Sequence, residues 1–356
     1  MEFDWSKYKL SKRLKFDSPV EYMLILANQG KLLITYKSSI KIYNINTLNL
    51  ESEINFENIK NIENLYLLTN GLISICTKER ILLIELNEDN TFQIIQTIES
   101  PPDLAESLEF KYLIELKNSN LCILSKNKIF LYKKDNNNKY YTYTITLIEN
   151  YVNYDEKGEN ESCIELIYPE KNIENKLAVY LSNVSRLSFW DLNTNQKINN
   201  TDNNYCNTFD CKDMFCLMDK GKYLLCACID ETISFYSTES CELIKTLSDC
   251  YWHITVLKIG EDQILSGGDF GNISFYKFDF EQDEFKKQDV KHLDMEKTKN
   301  VEKVVDLIVP EELKENNEEY GHGKAINEIR KYGDTIISSS CFEKDDQCFI
   351  CFWNKE

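Results

Sequence analysis

Residues that metal sites, phosphate sites and catalytic relays commonly need are scarce in this sequence. Its 356 residues include 3 histidines, 11 glycines and 5 prolines. So few histidines weaken any case for a His-based nucleophile relay or a two-histidine metal site. No Gly-x-Ser-x-Gly elbow, phosphate-binding loop or dinucleotide fingerprint occurs. We therefore expect a protein that is not an enzyme, with no catalytic, cofactor-binding or metal-binding residues and no cofactor.

Long apolar runs and an excess of positive charge are also missing. No run approaches the roughly 18 apolar residues that a transmembrane helix needs, and the N-terminus has no apolar signal-like stretch. The chain has 59 acidic against 41 basic residues, a formal net charge of −18. Because phosphate groups repel so acidic a protein, we expect neither nucleic acid nor membrane as a partner. A protein or peptide of basic character fits the charge better.

The 13 cysteines are an odd number in a long chain and lack the density of a secreted disulfide scaffold. They favour reduced thiols, packed as small hydrophobic residues, in the cytoplasm or alternatively the nucleus. Cys348 and Cys351 have the spacing of a zinc knuckle, but they fall in a strand-like segment. Residues three apart in a strand point to opposite faces, so we expect packed thiols there and not a metal site.

What the sequence does contain is one short phrase repeated seven times. An apolar stretch of five or six residues is followed by a brief polar break and a second apolar stretch that ends in an aromatic or apolar residue. The copies lie at 31–45, 71–86, 120–134, 176–192, 223–237, 263–278 and 334–354. Self-similarity at this spacing is the signature of a repeat architecture.

Each repeat unit is predicted to form four strands. Residues 211–247 show the pattern most clearly, as CKDMFCLM, YLLCACI, TISFYS and CELIKTL, each short and rich in β-branched or aromatic residues. Turn residues separate these segments, and nothing in the unit has helical periodicity. Seven four-stranded units predict an all-β, seven-bladed β-propeller occupying residues 1–356 as a single domain.

The two ends of the chain predict how the ring closes. The last unit stops after its third strand, whereas the segment Tyr8–Phe16 precedes the first unit and resembles a fourth strand. An N-terminal strand that completes blade 7 would remove an open sheet edge. An insertion at about 291–320, between blades 6 and 7, departs from the basic unit; its centre, 301–310, could be an added strand or a short helix.

The units resemble the WD-repeat family over nearly the whole chain. Trp190-Asp191 matches the Trp-Asp pair that ends the family's third strand, and Trp353-Asn354 is close to it. The family's Gly-His pair appears once, as Gly321-His322, and its turn aspartate matches Asp230 and Asp269. The resemblance implies a hydrogen-bonded set of His, Ser, Asp and Trp in a blade. Only the last blade has candidates for all four: His322, Ser338 or Ser340, Asp345 or Asp346, and Trp353.

The resemblance also implies that loops between blades share a face with the turns between second and third strands. The 291–320 insertion and the 341–347 turn would then lie together over blades 6 and 7. Aromatic side chains on such loops are typical of interface hot spots. The candidate partner-binding residues are Trp252, His253, Phe270, Tyr320 and Phe342. The alternative is that these aromatics pack the insertion onto the ring.

Together these observations predict an acidic, non-enzymatic WD-repeat-like scaffold that mediates protein–protein interactions. We expect a monomer within a multi-protein assembly. Two alternatives stay open: an obligate structural subunit, which apolar outer strands would mark, and an enzyme that uses the central funnel of the propeller. The central funnel of an enzyme would carry a dense cluster of inward-facing carboxylates or histidines.

Overall fold

In the computed structural model, almost all of the described chain forms short antiparallel strands. The described residues are 7–17, 20–36, 38–56, 59, 61–99, 110–116, 119–125, 128–135, 139–147, 164–167, 176–181, 186–194, 196–198, 214–228, 230–248, 253–268, 271–278, 280, 301–302, 325–340 and 348–355. Two 3-10 turns, Ala27–Gln29 and Asp219–Gly221, join strands. Across these ranges, we find no helix with the length and apolar character needed to cross a membrane.

The strands form seven four-stranded sheets, the blades of a propeller. A single strand, β1 (Tyr8–Phe16), precedes the first blade. Blade 1 contains β2 (Val20–Leu26), β3 (Lys31–Tyr36), β4 (Ser39–Asn44) and β5 (Leu50–Asn55). Blade 2 contains β6 (Asn64–Leu67), β7 (Ile73–Cys76), β8 (Arg80–Leu86) and β9 (Phe92–Glu99). Blade 3 contains β10 (Phe110–Glu115), β11 (Leu121–Ser125), β12 (Lys128–Lys134) and β13 (Tyr140–Leu147).

The remaining blades follow the same order of strands. Blade 4 contains β14 (Ile164–Ile167), β15 (Lys176–Leu181), β16 (Arg186–Asp191) and β17 (Gln196–Ile198). Blade 5 contains β18 (Phe215–Met218), β19 (Tyr223–Ala227), β20 (Ile233–Ser237) and β21 (Leu243–Leu247). Blade 6 contains β22 (His253–Lys258), β23 (Gln263–Gly268), β24 (Ile273–Phe278) and β25 (Val301–Glu302). Blade 7 contains β26 (Ile326–Tyr332), β27 (Thr335–Ser340) and β28 (Cys348–Lys355), with β1 as its fourth strand.

The seven-bladed propeller predicted from the repeats is therefore confirmed. Each copy of the repeated phrase supplies the second and third strands of one blade. These middle strands are largely apolar because neighbouring blades cover both of their faces. In blade 1, for example, Leu33 and Ile42 pack toward blade 2, whereas Leu32 and Ile34 pack toward blade 7.

Closure by the N-terminal strand is also confirmed. β1 pairs with β28 in antiparallel register, so that Leu10 lies opposite Trp353 and Leu14 opposite Ile350. Tyr8, Leu10 and Phe16 of β1 are buried. The burial of this strand joins the start of the chain to its last blade, and the ring leaves no open edge there.

Part of the predicted insertion belongs to blade 6. Val301 pairs with Phe278 and Glu302 pairs with Lys277, which makes β25 the outer strand of that blade. The rest of 291–320 lies outside the described residues.

The cysteine predictions have a mixed outcome. Cys348 packs with Phe16 and Val20, whereas Cys351 packs with Leu10 on the opposite face of β28. The prediction of reduced thiols does not hold for Cys226 in blade 5 or Cys348 in blade 7, each of which is disulfide-bonded, although not to the other. Six other cysteines among the described residues form no disulfide: Cys76, Cys122, Cys216, Cys228, Cys241 and Cys351.

Candidate interaction surface

The strand order gives the propeller two faces. One face carries the loops between blades and the turns that join second to third strands. The opposite face carries the turns that join first to second strands and third to fourth strands. We call these the loop face and the turn face. The sequence predicts the partner-binding residues on the loop face.

Of the five predicted residues, only His253 lies among the described residues. It begins β22 and pairs with Gly268, the last residue of β23. Both therefore lie at the loop-face end of blade 6. Trp252, Phe270, Tyr320 and Phe342 are outside the described residues, so the grouping of the five remains a prediction.

The framework beneath that face is tightly packed where blades 6 and 7 meet. A Cβ atom on Gly267 would come within 2.6 Å of Ile326 Cγ2 and 2.9 Å of Thr255 Cγ2. Only glycine fits at this position, because real Cβ atoms essentially never come so close to another side chain. The close approach brings the second strand of blade 6 against the innermost strand of blade 7.

The last blade contains part of the polar set that the WD-repeat resemblance implies. Trp353 Nε1 donates a hydrogen bond to Ser338 Oγ at 2.8 Å, so Ser338 and not Ser340 is the tryptophan's partner. His322, Asp345 and Asp346 lie outside the described residues. In blade 4, Trp190 Nε1 instead donates to Ser188 on its own strand, at 3.2 Å. The indole of Trp353 therefore bonds to a serine on the neighbouring strand, whereas the indole of Trp190 bonds to a serine on its own strand.

Buried carboxylates on innermost strands join blades to each other. Glu328 Oε2, on β26, accepts a hydrogen bond from the Met23 backbone N–H of blade 1 at 2.6 Å, and its other oxygen pairs with Arg330. Glu115, on β10, accepts from both the backbone N–H and the hydroxyl of Thr69 in blade 2, at 2.6 and 2.8 Å. Both carboxylates are thus engaged in holding neighbouring blades together.

The described residues contain no group of three or more His, Cys, Asp or Glu side chains that could hold a metal ion. Burial raises the pKa values of the Cys76 and Cys122 thiols, Cys76 being affected further by Glu63. A raised pKa keeps a thiol protonated and therefore a poor nucleophile. These two cysteines are core residues.

The sequence also contains a basic cluster at Lys12, Arg13 and Lys15, on the outer strand of blade 7. The Arg13 guanidinium carbon lies 3.9 Å from the centroid of the Phe349 ring. This stacking covers an aromatic side chain at the outer edge of the propeller.

A pocket on the turn face was not anticipated from the sequence. It lies where blade 7 meets blade 1 and has a volume of about 330 Å³. Its lining includes Ile45, Asn46 and Leu48 from blade 1, and Tyr332, Asp334 and Thr335 from blade 7. We call it the junction pocket. An alignment of the seven repeats at the residue that begins each second strand would have indicated this pocket.

Comparison with known proteins supports the fold. No protein-family model matches the sequence, and no curated protein matches it. Among solved structures, a chain in the crystal structure of the mitotic checkpoint complex is similar, with a TM-score of 0.65 and 11% identity. That likeness covers 97% of this chain and 91% of the other.

The Cps50 (Swd1) β-propeller domain of Myceliophteria thermophila is also similar, with a TM-score of 0.60 and 9% identity over 98% of this chain and 99% of that domain. Because the likeness extends over nearly the full length of both chains, the fold is the propeller that the WD-repeat resemblance implied. At these identities the likeness concerns the fold alone.

Proposed function

We propose that this protein is a non-enzymatic scaffold that binds other proteins within a multi-protein assembly. The observation that carries the proposal is the closed ring of seven four-stranded blades around a packed core. A chain of similar fold is part of the mitotic checkpoint complex, which is consistent with such a role.

The proposed binding surface is the loop face over blades 6 and 7, with Trp252, His253, Phe270, Tyr320 and Phe342 as its anchors. Large aromatic side chains bury much area at little entropic cost and dominate interface energetics. With a formal net charge of −18, the protein attracts a basic segment of a partner. We place the protein in the cytoplasm or nucleus, as a monomer before assembly.

Alanine substitution tests this surface. Trp252→Ala, Phe270→Ala and Phe342→Ala should each weaken partner capture at least ten-fold in affinity purification followed by quantitative mass spectrometry, because truncating a hot-spot residue costs about 2 kcal/mol or more. Glu239→Ala, an exposed substitution on the turn face, is the control. Unchanged partners in folded variants, judged by thermal melting, would show that the surface is wrong.

One observation favours the alternative of an obligate structural subunit. Three large apolar side chains are exposed on the outer strands of blades 1 and 2: Leu50 by 50%, Ile94 by 48% and Ile95 by 38%. Permanent packing against another subunit would cover them. Loss of partners in an Ile94→Ala, Ile95→Ala variant, with no loss in the aromatic variants, would favour this role over the loop-face scaffold.

A further inference from the structure

Two lysines in this propeller fill the same structural position in different blades. Each begins the second strand of its blade and lies opposite the last residue of the third strand: Lys31 opposite Asn44, and Lys176 opposite Asp191. Each side chain reaches across to the third-to-fourth turn of the following blade. The contact recurs in two of the seven junctions, whereas Tyr223 and Gln263 begin the second strands of blades 5 and 6. It therefore shows how a lysine is accommodated between blades where one is present.

Both ammonium groups are bound by backbone carbonyl groups. Lys31 Nζ donates to the carbonyl oxygens of Asn87 and Glu88, at 3.4 Å each. Lys176 Nζ donates to those of Thr238 and Glu239, at 2.9 and 3.0 Å. Lys31 is only 7% exposed, so its side chain is held almost entirely by protein groups.

The accepting turns have a common geometry. In each, the residue three positions after the first accepting carbonyl has a positive φ: Asn90 at 66° and Cys241 at 60°. Blade 1 has the same turn, with Leu48 at a φ of 59°. The carbonyls that correspond to the lysine acceptors are therefore those of Ile45 and Asn46.

The blade 7–blade 1 junction lacks the lysine. The residue that begins the second strand of blade 7 and lies opposite Asn354 is Thr335, whose hydroxyl donates to Asn354 Oδ1 at 2.8 Å. Threonine is too short to reach the turn of blade 1. The space that a lysine would fill is the junction pocket, lined by Ile45, Asn46 and Leu48 on the blade 1 side.

The chemistry of this pocket matches a lysine side chain along its length. No backbone N–H among the described loops and turns donates a hydrogen bond to the carbonyl oxygen of Ile45 or Asn46. Asp334 adds a carboxylate to the lining, and Tyr332 and Phe352 supply aromatic surface. Carbonyls and a carboxylate suit the ammonium head, whereas aromatic and aliphatic surface suits the four-carbon stem.

We propose that the junction pocket binds a lysine side chain of a partner protein, which takes the place that Lys31 and Lys176 occupy in two of the other six junctions. The inference rests on the proposed function only in that the partner is a protein. The inference goes beyond the proposed function because the pocket is on the turn face and requires none of the loop-face residues.

A small probe tests the pocket on the purified full chain. Nα-acetyl-L-lysine methylamide carries a free ammonium, and Nα-acetyl-L-norleucine methylamide has the same stem without it. In amide-resolved NMR titrations at millimolar concentration, the lysine probe should shift the signals of Asn46, Gly333 and Thr335 in a saturable way. The norleucine probe should bind at least ten-fold more weakly. Equal responses to the two probes, or no saturable response, would overturn the proposal.

Substitution of Thr335 provides the matched variants. Thr335→Lys should place an ammonium of the protein's own on the carbonyls of Ile45 and Asn46, raise the melting temperature and abolish binding of the lysine probe. Thr335→Ala removes the hydroxyl but leaves the pocket open, so binding should persist within about two-fold. A crystal structure of the Thr335→Lys variant with the introduced ammonium in solvent, and with probe binding retained, would contradict the proposal.

These outcomes separate the pocket from the loop face. The probe is measured without any partner, so failure of the Trp252, Phe270 and Phe342 variants to affect partner capture would not alter the NMR result. Conversely, a pocket that ignores the lysine probe would leave the loop-face proposal standing.

Discussion

Trp353 and Ser338 form a hydrogen bond across the two middle strands of the last blade, with the indole Nε1 donating to the hydroxyl at 2.8 Å. The exposed fractions of the two side chains are 1% and 0%. No water can replace a partner at that depth without a cavity to hold it. The bond therefore stabilises the blade that closes the ring.

Ser338→Ala should lower the free energy of unfolding by about 1–3 kcal/mol, because it leaves a buried indole N–H without its acceptor. Urea denaturation followed by tryptophan fluorescence measures this change. Ser188→Ala is the comparison: Ser188 is also buried, but Trp190 is partly exposed, so water can reach its indole N–H and the loss should be smaller than for Ser338→Ala. Equal losses in the two variants would show that burial does not decide the cost.

Gly267→Ala should destabilise the protein by about 1–3 kcal/mol, because the added methyl group overlaps Ile326 in the adjoining blade. Gly260→Ala is a control without such overlap: its nearest neighbour, the Gln263 side-chain oxygen at 3.3 Å, can rotate away. That variant should lie within about 0.5 kcal/mol of the parent. Thermal melting compares the two, and a stable Gly267→Ala protein would contradict the tight blade 6–blade 7 contact.

Glu328→Gln should cost about 1–3 kcal/mol. The carboxylate accepts hydrogen bonds from Met23 N–H and from Arg330 with its two oxygens, whereas an amide has only one acceptor oxygen. Glu51→Gln is the control, because Glu51 accepts from Asn44 and Asn90 at an exposed position. Its effect should stay below about 0.5 kcal/mol. Urea midpoints that change equally in both variants would rule out a special role for the buried carboxylate.

The free energy of unfolding at acidic pH should depend on the protonation of Glu261. Burial works against its charge, but hydrogen bonds from the Lys220 backbone N–H, at 2.5 Å, and from Lys258 Nζ, at 3.0 Å, hold its pKa below the ordinary value. The pKa of a glutamate in the unfolded chain is about 4.3. Because the pKa of Glu261 is lower in the folded protein, its carboxylate stabilises the fold above about pH 4.3. This stabilisation is lost as the pH falls through the folded-state pKa.

Glu261→Gln should therefore lower the free energy of unfolding at neutral pH and approach the parent near pH 3. The difference should stay below about 1 kcal/mol, because the side chain is 53% exposed and solvent screens it. Urea titrations at several pH values measure the difference, with Glu88→Gln as an exposed control. A gap that widens toward pH 3 would contradict this assignment.

Much of the architecture was predictable from local pattern. Middle strands such as Lys31–Tyr36 are short, apolar and flanked by turn residues, so their number and order follow from the chain itself. The closing strand was predictable because the last repeat lacks a segment that Tyr8–Phe16 resembles. The pairing of Val301–Glu302 with blade 6 was left open between strand and helix, because two residues carry too little periodicity to distinguish them.

The site residues were less predictable. A serine partner for Trp353 could be narrowed to Ser338 or Ser340, but only strand register selects Ser338, which lies on the second strand at hydrogen-bonding distance from the indole. The junction pocket was missed for a related reason. Nothing in the sequence distinguishes Thr335 from other threonines. Its importance follows only from the contacts that Lys31 and Lys176 make at the same position in their blades.

By itself, the sequence determined the seven repeats, their strands and the closure of the ring, because hydrophobic periodicity and turn chemistry are local properties. The tertiary structure decided what lies between blades: the hydrogen bond of Glu328 with Met23, the close approach of Gly267 to Ile326, and the pocket between Thr335 and the turn of blade 1. Those contacts join residues up to about 300 positions apart in the chain. Their geometry arises only when the ring closes and brings its first and last blades together.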